Sequence, residues 1–406
     1  MYDAIVVGAG PGGSTAAAMM AREGLRVLLI DKAVFPRDKV CGDAISKKAV
    51  LMLERLGIAE RVQASQSLGS YGITLSGTKG DTLAMTYYHE LDRPIAPSFT
   101  SARTVFDNIV FEAAVGAGAE VWQNAAVEGL LRENNRVTGV RVKREGGNMV
   151  EVSAPLVIGA DGAYSVVAKE LGITQLDENH YCAGVRAYYE GVTGFHEHNH
   201  IEVHFLDEVL PGYFWIFPMA NGRANVGIGM LSSVIKKKNV RLKALLQYCV
   251  EHPRIRDRFS HARIVGGTKG WGLPLGSKPR TMAGNGWMLV GDAASLIDPF
   301  AGEGIGNAML SGAEAARWAA QARNAGNYSA AFLSGYERDV MARIRSELRL
   351  SYTMQKLGRW TWLLNAVIRK ASRSPELTTV ITRMIDDESE RRKLVSPLFY
   401  LRLLAA

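Results

Sequence analysis

Apolar residues follow two patterns along this chain, and each pattern has its own stretches. Short unbroken apolar runs at 4–7, 27–30, 156–158 and 287–290 read as strands buried on both faces. Small-residue helical patterns run from about 14 to 23, stopping at Gly24, and from about 302 to 323. Between residues 181 and 275 the period drops to two: 201–205, 212–218 and 223–229 alternate, so this stretch is richer in strand than in helix. Further short strands are expected at 71–75, 82–88, 120–122, 125–131 and 137–142, with a turn at Asn134-Asn135 before the last. Helical periods return at 45–56 and 103–115. Beyond these the chain ends in helix: Met341, Ile344, Leu348 and Tyr352 step by three or four, and Ser374-Pro375 breaks the pattern once. The expected class is α/β, with a strand-rich insertion and a helical end.

The first strand delivers Gly8-Ala9-Gly10-Pro11-Gly12-Gly13, and the second ends on Asp31, eighteen residues past Gly13. This order is what a dinucleotide site requires. Gly8 permits the tight turn, Gly10 lets the backbone approach a pyrophosphate, and Gly13 allows close packing of helix on strand. The N–H groups of the first helical turn face the phosphates, and Asp31 can accept from both ribose hydroxyls while repelling a 2′-phosphate. An adenine dinucleotide is therefore expected here.

Composition narrows the class without changing it. With 406 residues, 47% hydrophobic and 22% charged, the chain should fold as more than one domain of ordinary globular make-up. No apolar run approaches the roughly twenty residues of a membrane span, and the immediate start of the first strand argues against a signal peptide. The 3 cysteines, Cys41, Cys182 and Cys249, lie far apart, so a reducing cytoplasm is expected rather than a disulfide framework or zinc site. The net charge of +8 is concentrated late: residues 341–406 hold 13 Lys or Arg against 6 Asp or Glu. No nucleic-acid motif accompanies that surplus, which leaves a solvated helical surface or an anionic membrane as its partner.

Several stretches carry candidate chemistry. Cys41 sits in the polar loop 36–44 that leaves the nucleotide strand, where a lone cysteine either packs as a small hydrophobe or lines a site. Asp161 stands in Gly159-Ala160-Asp161-Gly162, where the backbone passes close to something. Tyr213, Trp215 and Phe217 project to one face, and Gly227 and Gly229 on the partner strand are expected to leave open space above that row, making the wall of a flat apolar pocket. His196, His198 and His200 also fall at period two but lack an aimed acid, and are read as solvated with no metal bound. Gly291-Asp292 ends another strand, where an acid can hold a polyol. Gly302-Glu303-Gly304-Ile305-Gly306 then opens a helix whose free amides suit an electron-rich ring edge.

Taken together, Gly8–Gly13 with Asp31, Asp161-Gly162, Gly291-Asp292 and Gly302–Gly306 resemble the FAD-binding framework of the para-hydroxybenzoate hydroxylase fold. The segments 212–218 and 224–229 with Val40-Cys41-Gly42 narrow the resemblance to the geranylgeranyl reductase family, over about residues 2–336. The resemblance implies a discontinuous Rossmann-type FAD-binding domain (1–75, 100–180 and 276–336), an inserted mixed-sheet substrate domain (76–99 and 181–275) and a C-terminal helical segment (337–406). It places Gly12 and Asp31 on pyrophosphate and ribose, Arg103 along the adenosine and pyrophosphate, the strand at Val127 on adenine, and Asp292 on the ribityl chain. Gly304 and Ile305 offer amides to the flavin N1–C2 edge, while Cys41, Gly42 and Ala44 border the isoalloxazine. Tyr213, Trp215, Phe217 and Pro218, with Gly227 and Gly229, line a channel for a prenyl chain. Glu303 departs from members that carry glycine there.

The implied activity is reduction of isolated C=C bonds in geranylgeranyl chains on a phospholipid, quinone or chlorophyll-type head group. Hydride comes from reduced flavin, and Cys41 or Tyr213 donates or relays the proton. Only one dinucleotide fingerprint is present, so NAD(P)H visits transiently or ferredoxin supplies the electrons. A flavin monooxygenase or halogenase on the same fold is the alternative, although the Trp-x-Trp-x-Ile-Pro segment of halogenases is replaced by Tyr213-Phe214-Trp215-Ile216-Phe217-Pro218. A flavin- and lipid-binding module without turnover is the alternative of another class. A greasy substrate also implies peripheral membrane contact, with Trp360 and Trp362 among Arg359, Arg369 and Lys370 as the surface for it.

Overall fold

In the computed structural model, which describes residues 1–173 and 176–386, the unbroken apolar runs assemble into a six-stranded sheet. Ala4–Val7 lies inside it, with Val27–Ile30 and Glu120–Trp122 on one side and Val157–Gly159 and Trp287–Leu289 on the other, all parallel. The short strand Ala283–Gly284 closes one edge antiparallel. Every residue of Ala4–Val7 and Val27–Ile30 is buried, which is why these strands are apolar throughout and do not alternate. Helix Pro11–Arg22 packs against helix Ile305–Ala325 on one face. The two backbones meet at glycine: a Cβ on Gly12 would stand 2.9 Å from the Ala308 carbonyl oxygen, and one on Gly312 would overlap the carbonyl of Gly12.

The alternating stretches form a seven-stranded mixed sheet in the order Arg263–Pro274, Tyr181–Glu190, Arg223–Leu231, Tyr213–Met219, Ile201–His204, Gly72–Ser76, Thr82–Thr86. Neighbours are antiparallel except Ile201–His204 against Gly72–Ser76. Gly72–Ser76 pairs here, whereas Leu68–Ser70 just before it pairs with Ser98–Thr100 in a separate three-stranded sheet, so the chain enters the larger sheet at residue 72, ahead of the expected border after 75. One face of this sheet buries Phe214, Ile216, Val226 and Ile228 against Leu246, Cys249 and Phe259. The other face carries Trp215 and Phe217 and meets the loop at 41–43.

Two helix boundaries differ from the pattern. Ala44–Ile45 pairs with Ser98–Thr100 instead of opening a helix, and helix Lys47–Leu56 starts after Ser46, whose hydroxyl accepts from the Ala49 amide. The helical end breaks twice, at Trp360 as well as Ser374, giving Ala330–Leu357, Thr361–Ser372 and Pro375–Asp386. Helix Thr361–Ser372 sets Ile368 and Ala371 against Leu83, Met85 and Phe205. Asn365 fastens it, accepting from the Thr78 amide at 2.8 Å and donating to the Thr78 hydroxyl at 2.9 Å. The stretch 387–406 of the expected C-terminal helical segment lies outside the described residues.

Candidate functional site

The glycines of the first turn divide by what surrounds them. Gly8 has φ +99, and a side chain on it would press on Ala160 and Asp161; one on Gly13 would overlap the Gly8 carbonyl. Both are glycine because backbone packs there. Gly10 instead faces outward, with Nη2 of Arg37 the nearest atom to a built Cβ, at 3.5 Å. Arg37 is a residue the sequence did not single out. Its Nη1 lies 3.0 Å from Asp107 without hydrogen-bond geometry and is a buried donor left without a hydrogen-bond partner. An unsatisfied guanidinium beside an open helix N-terminus fits a pyrophosphate. Arg103 is buried and engages Asp107 through Nε at 2.6 Å and Nη2 at 2.8 Å, so Asp107 joins the two arginines.

The acids serve the backbone as well as a ligand. Asp31 accepts from the amides of Ala9 and Ala33, each at 2.8 Å, and so holds the glycine turn to its own strand end. Asp161 accepts from the Ser165 hydroxyl at 2.5 Å and the amides of Val166 and Val167, which caps a short helix; its carboxylate is taken up by its own turn. Asp292 pairs with Lys39 at 3.2 Å. Gly304 caps helix Ile305–Ala325, whose first amides lack intrahelical partners. Glu303 takes one of them, accepting from Gly306 at 2.5 Å and from the Ser46 hydroxyl at 3.0 Å. Burial raises the proton affinity of Glu303, against the pull of Lys48. The amides of Gly304 and Ile305 stand before that contact, at the helix start. Val127 is a buried residue of strand Ala126–Glu133.

Where the loop at 41–43 meets the larger sheet, the register sets residues in rows. Tyr213 stands opposite Gly229, Trp215 opposite Gly227, and Phe217 opposite Asn225; the next strand continues these rows with Gly184, Arg186 and Tyr188. The space expected above Gly227 is filled by Trp215 itself. A Cβ on Gly227 would overlap the indole, one on Gly229 would meet it at 3.8 Å and one on Gly184 at 3.9 Å. The glycines thus let the indole lie flat, and Gly42 admits the Phe217 ring, 3.2 Å from where its own Cβ would be. Tyr213 donates its hydroxyl to the Ala301 carbonyl at 2.6 Å, and burial raises its proton affinity. Pro218 offers its carbonyl to the Thr100 hydroxyl.

A polar cluster that the sequence reading passed over lies behind Cys41 and Gly42. Asn225 receives the Trp215 indole N–H at 2.9 Å and donates to the Cys41 carbonyl at 2.8 Å and to Asp43 at 2.9 Å. Tyr188 donates to the same Asp43 oxygen at 2.5 Å. Asp43 is fully buried, and that burial pushes its carboxyl up to about 6 despite these donors and the nearby charges of Arg103 and Arg186. The only sequence signal was its place two residues after Cys41.

The histidines are not all solvated. His200 is fully buried, its ring nitrogens 3.0 Å from the Thr74 hydroxyl and 3.1 Å from that of Thr86, and it stacks on His196. Burial lowers it to about 4, helped by the neighbouring imidazoles. The period-two pattern concealed this because the strand that follows pairs with Gly72–Ser76, which pairs in turn with Thr82–Thr86, both far away in sequence.

The FAD binding domain family matches residues 1–351. A menaquinone reductase of Mycobacterium tuberculosis is 35% identical over 325 residues, 77% of this chain and 75% of that protein. A digeranylgeranylglycerophospholipid reductase of Thermoplasma volcanium is 33% identical over 370 residues, 88% of each. The crystal structure of a geranylgeranyl bacteriochlorophyll reductase-like protein from Thermoplasma acidophilum superposes with a TM-score of 0.82 at 26% identity, over 97% of this chain and 98% of that one. A flavin-dependent brominase shares the fold, with a TM-score of 0.74 at 22% identity over 96% and 92% of the two chains. The outward Gly10, the unsatisfied Arg37 and the amides at Gly304 agree with this outcome: the chain belongs to the FAD-binding domain family, among the flavoproteins that include the menaquinone and digeranylgeranylglycerophospholipid reductases.

Proposed function

We propose that this chain is an FAD-dependent reductase that saturates isolated C=C bonds in the polyprenyl chain of a lipid. One observation carries this reading. From Trp215, beside the loop at 41–43, an apolar row runs across the sheet through Val203, Leu75 and Leu83, which stand opposite one another in register. Leu364, Val367 and Ile368 of helix Thr361–Ser372 pack on its far end. An extended isoprenoid would follow the part-exposed stretch of this row, from Trp215 toward Val203 and Leu75, up to the buried Leu83, whereas a compact aromatic substrate would use only the end at Trp215.

FAD, when bound, supplies the hydride. The remaining work falls to the chain. An unconjugated alkene is a poor hydride acceptor, so holding it close and excluding water carry much of the rate. In this proposal Trp215 and Phe217 fix the plane against which the alkene lies, and Gly227 and Gly229 keep that plane flat. A proton must reach the second alkene carbon. Cys41 borders the same loop, while the Tyr213 hydroxyl must first leave the Ala301 carbonyl, so Cys41 is the preferred donor and Tyr213 holds the loop at 298–303. The residues named above for FAD fall in the proposed discontinuous domain, and the apolar row in the inserted one. The electron donor is a transient NAD(P)H or a ferredoxin.

The test is anaerobic single turnover: reduced protein is mixed with a geranylgeranyl phospholipid or a menaquinone, and return of the oxidised flavin spectrum is followed with product mass. Alkene saturation is expected, slowed at least about a hundredfold by Cys41→Ala and less than about tenfold by Tyr213→Phe. The brominase fold makes a halogenase or monooxygenase the second reading, and oxygen consumption with NADPH and an aromatic substrate would select it. Reduced flavin that survives every alkene and oxygen would leave a binding module.

A further inference from the structure

One end of the seven-stranded sheet carries a surface that the reductase reading leaves unused. Tyr213–Met219 is antiparallel to both Arg223–Leu231 and Ile201–His204, and Gly72–Ser76 runs parallel with Ile201–His204. The loop 205–212, the turn 77–81 and the helix that follows Leu231 therefore stand at the same end. That helix, Ser232–Lys238, and the start of the next, Leu242–Glu251, carry Lys236, Lys237, Lys238, Arg241 and Lys243, all exposed, with no Asp or Glu in 236–243. Lys238 donates to the Leu210 carbonyl at 3.3 Å, which ties the cationic segment to the loop 205–212. Lys236 pairs with Glu178 at 2.9 Å, whereas the side chains of Lys237, Arg241 and Lys243 have no partner among the described residues. The other acids at this end are Asp81, Asp207 and Glu208, which accepts from the Tyr248 hydroxyl at 2.7 Å; Arg254 adds a cation, donating to the Gly77 carbonyl at 2.9 Å. From Arg223–Leu231 to the edge strand Thr82–Thr86 is four strand spacings, roughly 19 Å. There Asn365 fastens helix Thr361–Ser372 to Thr78, and the exposed Trp360 and Trp362 start that helix. Leu210 and Tyr213 come from the strands between, and with Phe300 and Leu364 they pack, half-buried, on the cluster of Leu83, Met85, Phe205 and Ile368.

We propose that this end of the sheet is the face that docks on an anionic lipid bilayer, with segment 236–243 as its cationic foot and Trp360 with Trp362 as its aromatic one. The choice of a bilayer rests on the reductase reading, since a prenyl lipid reaches the row from a membrane. The two feet suit different depths: lysine and arginine meet lipid phosphates at the surface, and indoles sit at head-group level. With both engaged, the half-buried Leu210 and Phe300 turn toward the lipid. A chain leaving the bilayer then passes Tyr213, whose ring lies 6.0 Å from that of Trp215, where the row begins. An acidic electron-carrying protein would complement the cations but would give no use to the exposed indoles or to the apolar side chains between the feet.

Sedimentation of the FAD-loaded protein with vesicles reads this surface without turnover. The parent binds phosphatidylglycerol vesicles, binds phosphatidylcholine vesicles far more weakly, and is released from the former as salt rises. A cation at an anionic surface is worth roughly fivefold in partition, so Lys237→Gln, Arg241→Gln and Lys243→Gln together weaken binding about a hundredfold. Arg55→Gln, Lys143→Gln and Lys169→Gln together remove the same charge from exposed positions on other elements and weaken it less than about threefold. Both triple variants keep the parental unfolding midpoint. The first reduces vesicle-borne prenyl lipid more slowly than the parent and detergent-dispersed prenyl lipid at the parental rate. Equal losses of binding in the two triple variants overturn the docking face, since net charge alone would then act. Undiminished binding by the first variant overturns it too, and slower reduction of that variant's flavin by an acidic iron–sulfur protein would then assign the cations to an electron carrier. A parent that sediments through these residues yet saturates no prenyl lipid overturns the reductase reading instead and leaves the docking face standing.

Discussion

At the scale of single residues, Gly227 and Gly229 separate two reasons for being glycine. Alanine at 227 drives a methyl group into the indole of Trp215, which has no free side to move toward while Asn225 holds its N–H. Overpacking of this kind costs about 1–3 kcal/mol. Alanine at 229 meets the indole at 3.8 Å, an ordinary contact, and should change stability by less than about 0.5 kcal/mol. Denaturant unfolding followed by tryptophan emission checks the pair, and equal losses would refute the packing argument. Asp43 gives a prediction with a sign. The folded carboxyl keeps its proton up to about 6 and the unfolded one releases it near 3.8, so the native state binds more protons between these values. Stability therefore falls as pH rises through that window and stays lower above it, by about 3 kcal/mol when both states are ionised. Relative to the parent, Asp43→Asn should gain stability from about pH 4 to about pH 7. A difference between the two proteins that ignores pH would show that Asp43 does not hold a raised proton affinity.

At the scale of elements, the sequence pattern was most informative where one local cause dominates. The buried strands Ala4–Val7 and Val27–Ile30 were legible because parallel strands covered on both faces leave no polar position. The aromatic strand was legible from its period of two. Asn225 and Asp43 were not, since a hydrogen-bonded hub is assembled from three segments whose spacing carries no pattern. The second break in the helical end was missed because Gly358-Arg359-Trp360 lacks the proline that marks Ser374-Pro375. That break matters for the membrane proposal. Helix Thr361–Ser372 is packed along one side, but Trp360 and Trp362 at its start are 55% and 63% exposed, with Arg369, Lys370 and Arg373 toward its other end. Such a corner suits an interface, where indoles sit at head-group depth and cations meet anionic lipid. Among the described residues no helix is long and apolar enough to cross a membrane. Replacing both tryptophans by alanine should cut sedimentation with anionic vesicles several-fold and leave the unfolding midpoint nearly unchanged, as neither ring is in the core. Undiminished sedimentation would move the contact elsewhere.

At the scale of the whole molecule, the proposed cofactor site is built from segments that are remote in the chain. Gly10 and Arg37 come from the first quarter, Arg103 from the helix beside them, and Asp292, Gly304 and Ile305 from beyond the inserted sheet. The dinucleotide fingerprint was readable because its glycines and Asp31 are local. The partnership of Arg37 with Asp107, or of Lys39 with Asp292, becomes visible only once the fold brings those segments together. A ligand that touches all of them binds the folded state and has no counterpart in the unfolded chain. FAD at a hundred times its dissociation constant should therefore add about 2.7 kcal/mol, which for a chain of this size raises the melting midpoint by several degrees. Arg37→Ala should weaken that shift by lowering affinity, and should also lower the apo midpoint modestly, because the guanidinium pairs with Asp107 at 3.0 Å and lies over the Phe35 ring at 4.9 Å. Gly10→Val should abolish the shift by closing the pyrophosphate approach, with a near-parental apo midpoint, since nothing lies within 3.4 Å of a Cβ there. Differential scanning with and without FAD reads all three proteins. If Gly10→Val were stabilised by FAD as strongly as the parent, the phosphates would have to lie away from the first helix, and the assignment of Arg37, Asp292 and Gly304 to one bound molecule would fall with it.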